Sequence, residues 1–158
     1  MKVYKKEWTQ FIPRPLDEVW HFFSRPENLS EVTPKEMNFN ILSDIADKPM
    51  YEGMIINYKV TPVLGIQMRW TTEIKNIKKG EYFVDEQRFG PYAMWHHEHH
   101  FREADGGTYM TDLLHYAIPF GPIGNIANAI FVSNKIEEIF DYRFKAVEQL
   151  FGKNKLVV

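Results

Sequence analysis

Two hydrophobic periodicities divide this chain, and the point where one gives way to the other limits its folds more than any other feature. Up to residue 118 apolar and polar residues alternate in short runs, the period of half-buried strands. From Gly121 to Phe151 the period becomes helical, with Ile136, Ile139, Phe140, Phe144, Val147, Leu150 and Phe151 on one side and Gly152 placed as the stop. The alternation predicts strands over 3–12, 37–43, 53–61, 66–77, 81–89, 93–103 and 108–118, most of them separated by the turn signals "DKP", "KKG", "GP" and "DGG". After the first strand, Leu16, Val19, Trp20 and Phe23 at i, i+3, i+4 and i+7 mark a short helix. Pro15 suits its first turn, and Asp17 and Glu18 complement its dipole. "RPENLSEVTP" restarts at Pro26, presents Leu29 and Val32, and ends before Pro34, so two short helices in a V are expected.

This order predicts an α+β fold. A curved antiparallel sheet of about seven strands wraps a long C-terminal helix, with two short helices after the first strand. The 158 residues are expected to form one domain, residues 1–158, and curling the sheet around the helix leaves a hollow, the natural ligand site. With 24 aromatic residues among an apolar 44%, there are many bulky rings to place inside.

The period-2 rule also sorts the densest cluster of chemistry-bearing residues, "WHHEHHF". Trp95, His97, His99 and Phe101 share one face, with aromatic ends that mark it as inward; His96, Glu98 and His100 share the other. A turn at "ADGG" pairs Glu103 with Thr108, which sets His99 opposite Asp112, His97 opposite Leu114, Trp95 opposite Tyr116 and, outside, His96 opposite His115. Across the "GP" turn Asp85 faces His97 and Gln87 faces Trp95. The interior polar string is therefore Asp85, Gln87, His97, His99 and Asp112, flanked by Trp70, Phe89, Trp95, Phe101 and Tyr116, with Leu114 on the same face. His99 is the expected partner of Asp112, because a carboxylate among rings is costly unless paired. On the long helix Ile126, Ile130, Asn134 and Phe140 are expected to touch the cavity. "VTPVLG" (60–65) and "PFGPIG" (119–124) are expected as loops at its mouth.

The stretch "FIPRPLDEVWHFFSRPENLSEVTP" resembles the opening of SRPBCC-type domains, the START-like helix-grip superfamily. "FVDEQRFGPYAMWHHEHHF" and "GGTYMTDLLHYAIPFGPIG" resemble its ligand-binding, polyketide-cyclase-like branch. The motif residues are Asp85 and Gln87 in "D-x-Q", Trp95, His97, His99 and Phe101 in "W-x-H-x-H-x-F", and Thr111 and Asp112 in "T-D". The resemblance covers about residues 3–151 and implies a deep, mostly apolar cavity for a hydrophobic small molecule. It implies no shared reaction, since function resides in the site.

Several function classes are not expected. A net charge of −2 with scattered Lys and Arg gives no footprint for nucleic acid. Cysteine is absent, which removes disulfides, thiolate catalysis and thiolate metal sites. No stretch approaches a membrane span and the start lacks a secretory apolar run, so a cytosolic protein without stable membrane insertion is expected. Adjacent strand histidines point to opposite faces, so four cannot converge on one ion. The outer set (His96, Glu98 and His115, with His100) and the inner set (His97, His99 and Asp112) both lack the helical spacing of a strong zinc motif; no metal and no cofactor are expected. Three readings remain. The favoured one is a protein that sequesters or carries a small hydrophobic, cyclic or lipid-like molecule. The second is a cyclase or dehydratase using His99 as base, Asp112 to orient it and His97 as donor. The third is a regulatory module with no chemistry and no recognisable partner motif.

Overall fold

The computed structural model describes residues 1–45, 48–61 and 65–153. Strands β1 (Tyr4–Ile12), β2 (Asn40–Ile41), β3 (Ile55–Val60), β4 (Met68–Lys78), β5 (Tyr82–Phe89), β6 (Met94–Ala104) and β7 (Gly107–Ala117) form one antiparallel sheet in the order β1-β7-β6-β5-β4-β3-β2. Helix α1 (Leu16–Phe23) follows β1. Helices α2 (Gly121–Ala127) and α3 (Ser133–Phe151) are joined without a break by a π turn over Asn128–Val132. This is the α+β architecture that the change of period implies. The tract 60–65 falls partly outside the described residues, and within 119–124 α2 already begins at Gly121.

Most elements form where the pattern places them, for identifiable reasons. β6 and β7 join through Asp105 and Gly106, both with positive φ (55° and 76°). That two-residue turn carries the twist of a tight hairpin and fixes Ala104 opposite Gly107. The pairs His99–Asp112, His97–Leu114, Trp95–Tyr116 and His96–His115 follow from it. On the other edge of β6, Asp85 pairs with His97. Gly152, at φ 96°, ends α3.

Two elements are shorter or tighter than the pattern suggests. The strand expected over 37–43 is only Asn40–Ile41: Lys35–Met37 coil into a 3₁₀ turn and Asn38 takes a left-handed φ of 46°, which breaks extension. The second short helix, Pro26–Val32, is 3₁₀ rather than α.

At one end, α1 lays Val19, Trp20 and Phe23 on the sheet. Trp20 meets Phe101 edge-on with centroids 5.4 Å apart, and Val147 and Phe151 of α3 close this cluster. Along the long helix the inward stripe runs Gly124, Asn128, Val132, Ile136 and Phe140, spaced four apart. Asn128 is admitted because its Oδ1 accepts the buried Tyr116 hydroxyl at 3.0 Å. Gly124 is required by contact: a Cβ there would run into the Pro119 carbonyl oxygen and stand 3.0 Å from Ile118 Cγ2. Gly124→Ala is therefore expected to lower stability by about 1–3 kcal/mol, the range for overpacking a closed site. Urea unfolding checks this, and an unchanged midpoint would show that the strand-to-helix connection yields freely.

Candidate functional site

Between the mid-sheet and α3 lies a cavity of about 140 Å³. β3 and β4 supply Ile56, Tyr58 and Trp70, β6 supplies Trp95, and α3 supplies Ile139 and Phe140. Trp70 is the centre of the aromatic wall, edge-on to Trp95 at 5.3 Å and to Tyr92 at 5.6 Å. Tyr58 shares a 2.6 Å hydrogen bond with Thr72; burial, then the nearby Asp85 charge, raises its pKa, so the hydroxyl stays neutral. The indole N–H of Trp70, a residue only 7% exposed, has no hydrogen-bond acceptor.

One side of the cavity is polar. Asp85, His97 and His99 line it, as does Arg143 of α3. Behind the two imidazoles stands Asp112, buried and outside the cavity lining. His97 Nε2–H donates to Asp112 Oδ1 at 2.9 Å, and His99 Nε2 lies 2.9 Å from Asp85 Oδ2. The ring of contacts closes with His97 Nδ1 at 3.5 Å from Asp85 Oδ2 and His99 Nδ1 at 3.0 Å from Asp112 Oδ1. The last contact is electrostatic, because the His99 Nδ1 geometry does not make an aligned hydrogen bond. Two carboxylates and two imidazoles therefore alternate, and Arg143 Nη1 donates to Asp112 Oδ1 at 3.3 Å.

The charges follow from this arrangement. Burial opposes ionisation of Asp112, but Arg143 and the two histidines outweigh it and hold the carboxyl well below the usual range. Burial likewise works against Asp85, which His99 and His97 keep below its ordinary value. His99 is pulled down by burial and up by Asp112 and Asp85, with a net rise that favours its charged form. For His97, burial and the neighbouring His99 prevail and the pKa falls, so it is neutral. With Arg143, the buried group sums to near zero charge, the condition for tolerating it inside a domain.

The expected His99–Asp112 contact forms, at 3.0 Å, but it is not the aligned one. Asp112 takes its aligned hydrogen bond from His97, and His99 turns its Nε2 to Asp85 because β5 brings that carboxylate alongside. In its charged form His99 carries a proton on each nitrogen, each facing a carboxylate, and has no free lone pair to serve as a base. The other expected site residues separate by location. Trp70, Asp85, Trp95, His97 and His99 face the cavity, as does Phe140. Phe101 lies in the core under α1, and Leu114 and Tyr116 are packed beneath α3; none of the three lines the cavity. Gln87 is not a cavity residue: its amide donates to Tyr92 O at 2.7 Å and accepts from Tyr92 N at 3.2 Å, clamping the Gly90–Pro91 turn. Phe89 is 73% exposed, since irregular pairing at Thr71/Thr72 sets it opposite Thr71. Ile126 and Ile130, 60% and 68% exposed, point away from the sheet, and Asn134 is also exposed. Ile56, Tyr58, Tyr92 and Ile139 line the cavity without having been expected there, and so does Arg143, the one charged residue among these five. Its signal was its place in the inward series 136, 140, 143, 147, where a cation asks for a buried anion.

On the outer face, His96 Nδ1 stands 2.8 Å from Glu86 Oε1, and His100 Nε2 stands 2.9 Å from Glu98 Oε2. These are ordinary part-exposed pairs on a solvated strand.

A seven-stranded antiparallel sheet gripping one long C-terminal helix, with a cavity between them, defines a helix-grip domain. The chain belongs to the family described as polyketide cyclase / dehydrase and lipid transport, whose match spans residues 12–146. No curated protein matches the sequence. Solved structures with the same fold include protein CV1439 from Chromobacterium violaceum, at 13% identity, a TM-score of 0.72, and coverage of 95% of this chain and 99% of that one. Ara h 8.0201 is 17% identical with a TM-score of 0.66, over 95% and 98% of the two chains. The major latex-like protein 151 from Panax ginseng is 12% identical with a TM-score of 0.65, over 94% and 97%. Among the described residues no helix is long and apolar enough to cross a membrane.

Proposed function

We propose that this chain binds a small, largely apolar molecule in the cavity between sheet and helix, with an acceptor oxygen of that molecule on the Trp70 N–H. The carrying observation is a hollow of about 140 Å³ whose wall is largely aromatic and aliphatic and holds, in the Trp70 N–H, a buried donor without an acceptor. An unmet buried donor costs about 1–3 kcal/mol, and a ligand oxygen would relieve that cost. The volume is close to that of an engineered cavity of about 150 Å³ known to take benzene, so a single-ring molecule fits without rearrangement. Burial of apolar surface, at roughly 25 cal/mol per Å², supplies most of the affinity. The family description, which includes lipid transport, supports the same class of ligand. A His99 flanked by two carboxylates, which favour its protonated form, supports binding over acid–base chemistry.

Native mass spectrometry and solvent extraction of the purified chain test this reading, with calorimetric titration of a single-ring probe, phenol, as the affinity measure. Ile139 is part-exposed on α3 and lines the cavity, so a larger ring there fills the hollow at little cost to the core. Ile139→Trp is expected to weaken probe binding by about 10-fold or more, equivalent to about 1.4 kcal/mol. A wild-type chain that takes up no probe and yields no extractable molecule would remove the proposal.

A further inference from the structure

The polar wall holds two ring nitrogens and a carboxylate oxygen turned toward one another. Asp112 is a carboxylate and accepts only, so the 2.9 Å bond from His97 fixes that imidazole's proton on Nε2. In the neutral ring the other nitrogen, Nδ1, is then a bare lone pair, and it faces Asp85 Oδ2 at 3.5 Å. Two acceptors facing each other inside a protein want a cation between them. On the same side His99 presents Nε2, 2.9 Å from the same oxygen. Among the described residues, Asp85, His97 and His99 are the group whose ligand atoms gather within 4.8 Å of one another.

We propose that Asp85 Oδ2, His97 Nδ1 and His99 Nε2 hold a divalent transition-metal ion at the cavity wall. Three features of the geometry support this. Tetrahedral ligands roughly 2.0–2.1 Å from a common ion stand roughly 3.4 Å apart, and the spacings of 2.9 and 3.5 Å bracket that value. The far nitrogens of both imidazoles, His97 Nε2 and His99 Nδ1, lie at 2.9 and 3.0 Å from one oxygen of Asp112, which Arg143 secures in turn. A carboxylate behind the ligating histidines is the arrangement that orients the rings and fixes which nitrogen faces the ion. All three ligands border the cavity, so the remaining coordination positions open toward the bound molecule, as in sites that keep an exchangeable position. Entry of the ion displaces the proton now shared by His99 Nε2 and Asp85, and the Nδ1–H of His99 stays toward Asp112. The expectation of no metal rested on the lack of a helical zinc spacing and weighed His97, His99 and Asp112 as the inner set; the strand pairing puts Asp85 beside the two histidines and Asp112 behind them.

The test uses the full chain, dialysed against a chelator and titrated with Co²⁺ while its visible d–d absorption is followed, then with Zn²⁺ in competition. One Co²⁺ is expected per chain. In ¹⁵N-edited imidazole spectra Zn²⁺ should move His97 Nδ1 and His99 Nε2 and leave His96, His100 and His115 in place. Asp85→Asn should weaken the ion at least about 100-fold, beyond the 10–100-fold typical of losing a group behind the ligands. The outer-face double variant His96→Gln/His115→Gln should bind unchanged. Absence of d–d absorption at millimolar Co²⁺, or shifts confined to the outer histidines, would overturn the proposal. The nitrogen shifts are read on the unaltered chain, so a folding failure of Asp85→Asn does not blunt the result. Probe binding by the metal-free chain is a separate measurement, and it stands or falls without the ion.

Discussion

Arg143→Leu should cost about 3–5 kcal/mol of stability at neutral pH, the range for removing one partner of a buried charge pair. The side chain is nearly enclosed, donates to Asp112 at 3.3 Å and lies over the Phe140 ring at 4.9 Å. Leucine keeps much of the packing and deletes the charge. Asp112 is then left with His97, which is neutral, and with an unaligned contact to charged His99. Arg143→Lys should recover part of the loss, because a point charge serves the anion without the planar fork. Arg143→Leu combined with Asp112→Asn should be more stable than the sum of the two single losses predicts, since the uncompensated carboxylate is gone. The sign with pH is fixed by the depressed Asp112 pKa. Its contribution is present above the ordinary carboxylate value of about 3.9 and is lost as pH falls through the folded value. The deficit of Arg143→Leu should therefore be full near neutrality and shrink in acid. Urea midpoints across pH measure it, and a loss under about 1 kcal/mol would mean that Asp112 does not depend on the guanidinium.

The parts of this arrangement set by alternation and a tight turn were legible in the sequence. The Asp-Gly turn fixed β6 against β7, and with it His97, His99 and Asp112 on one face; the Gly-Pro turn brought Asp85 beside His97. Which nitrogen meets which oxygen was not legible, because it depends on side-chain rotamers and on sheet curl rather than on register. Gln87 and Phe89 were misplaced by extending the alternation past Asp85. An extra residue in β5, Arg88, opposite the Thr71–Thr72 step of β4, turns Phe89 outward, and nothing in the composition of β5 announces it. The helix erred in the opposite sense. Choosing its most apolar residues selected Ile126 and Ile130, while the inward stripe carries Gly124 and Asn128 for close approach and for the Tyr116 hydroxyl. Hydrophobicity ranks faces; it does not see the contacts that admit a glycine or an asparagine. Arg143 escaped for the same reason.

Phe140 joins the cavity to the core, and Phe140→Ala should separate the two roles. The ring lies parallel to Trp8 at 3.8 Å, meets His97 edge-on at 5.5 Å and carries the Arg143 cation. Truncation removes all three contacts and leaves a void, so stability should fall by about 3–5 kcal/mol. The void adjoins the existing hollow, because Phe140 lines it and is itself buried. The variant cavity therefore admits larger apolar molecules. Two-ring probes should bind the variant more tightly than the wild type, and their saturation should restore part of the lost stability through mass action. Trp8, tied to Glu137 by its indole N–H at 3.0 Å, is held from closing the gap, which favours an open void over collapse. Urea midpoints with and without a naphthalene-sized probe read both effects. A variant destabilised as expected but no more receptive to the larger probe would place Phe140 in the core alone and confine the ligand to the aromatic wall around Trp70.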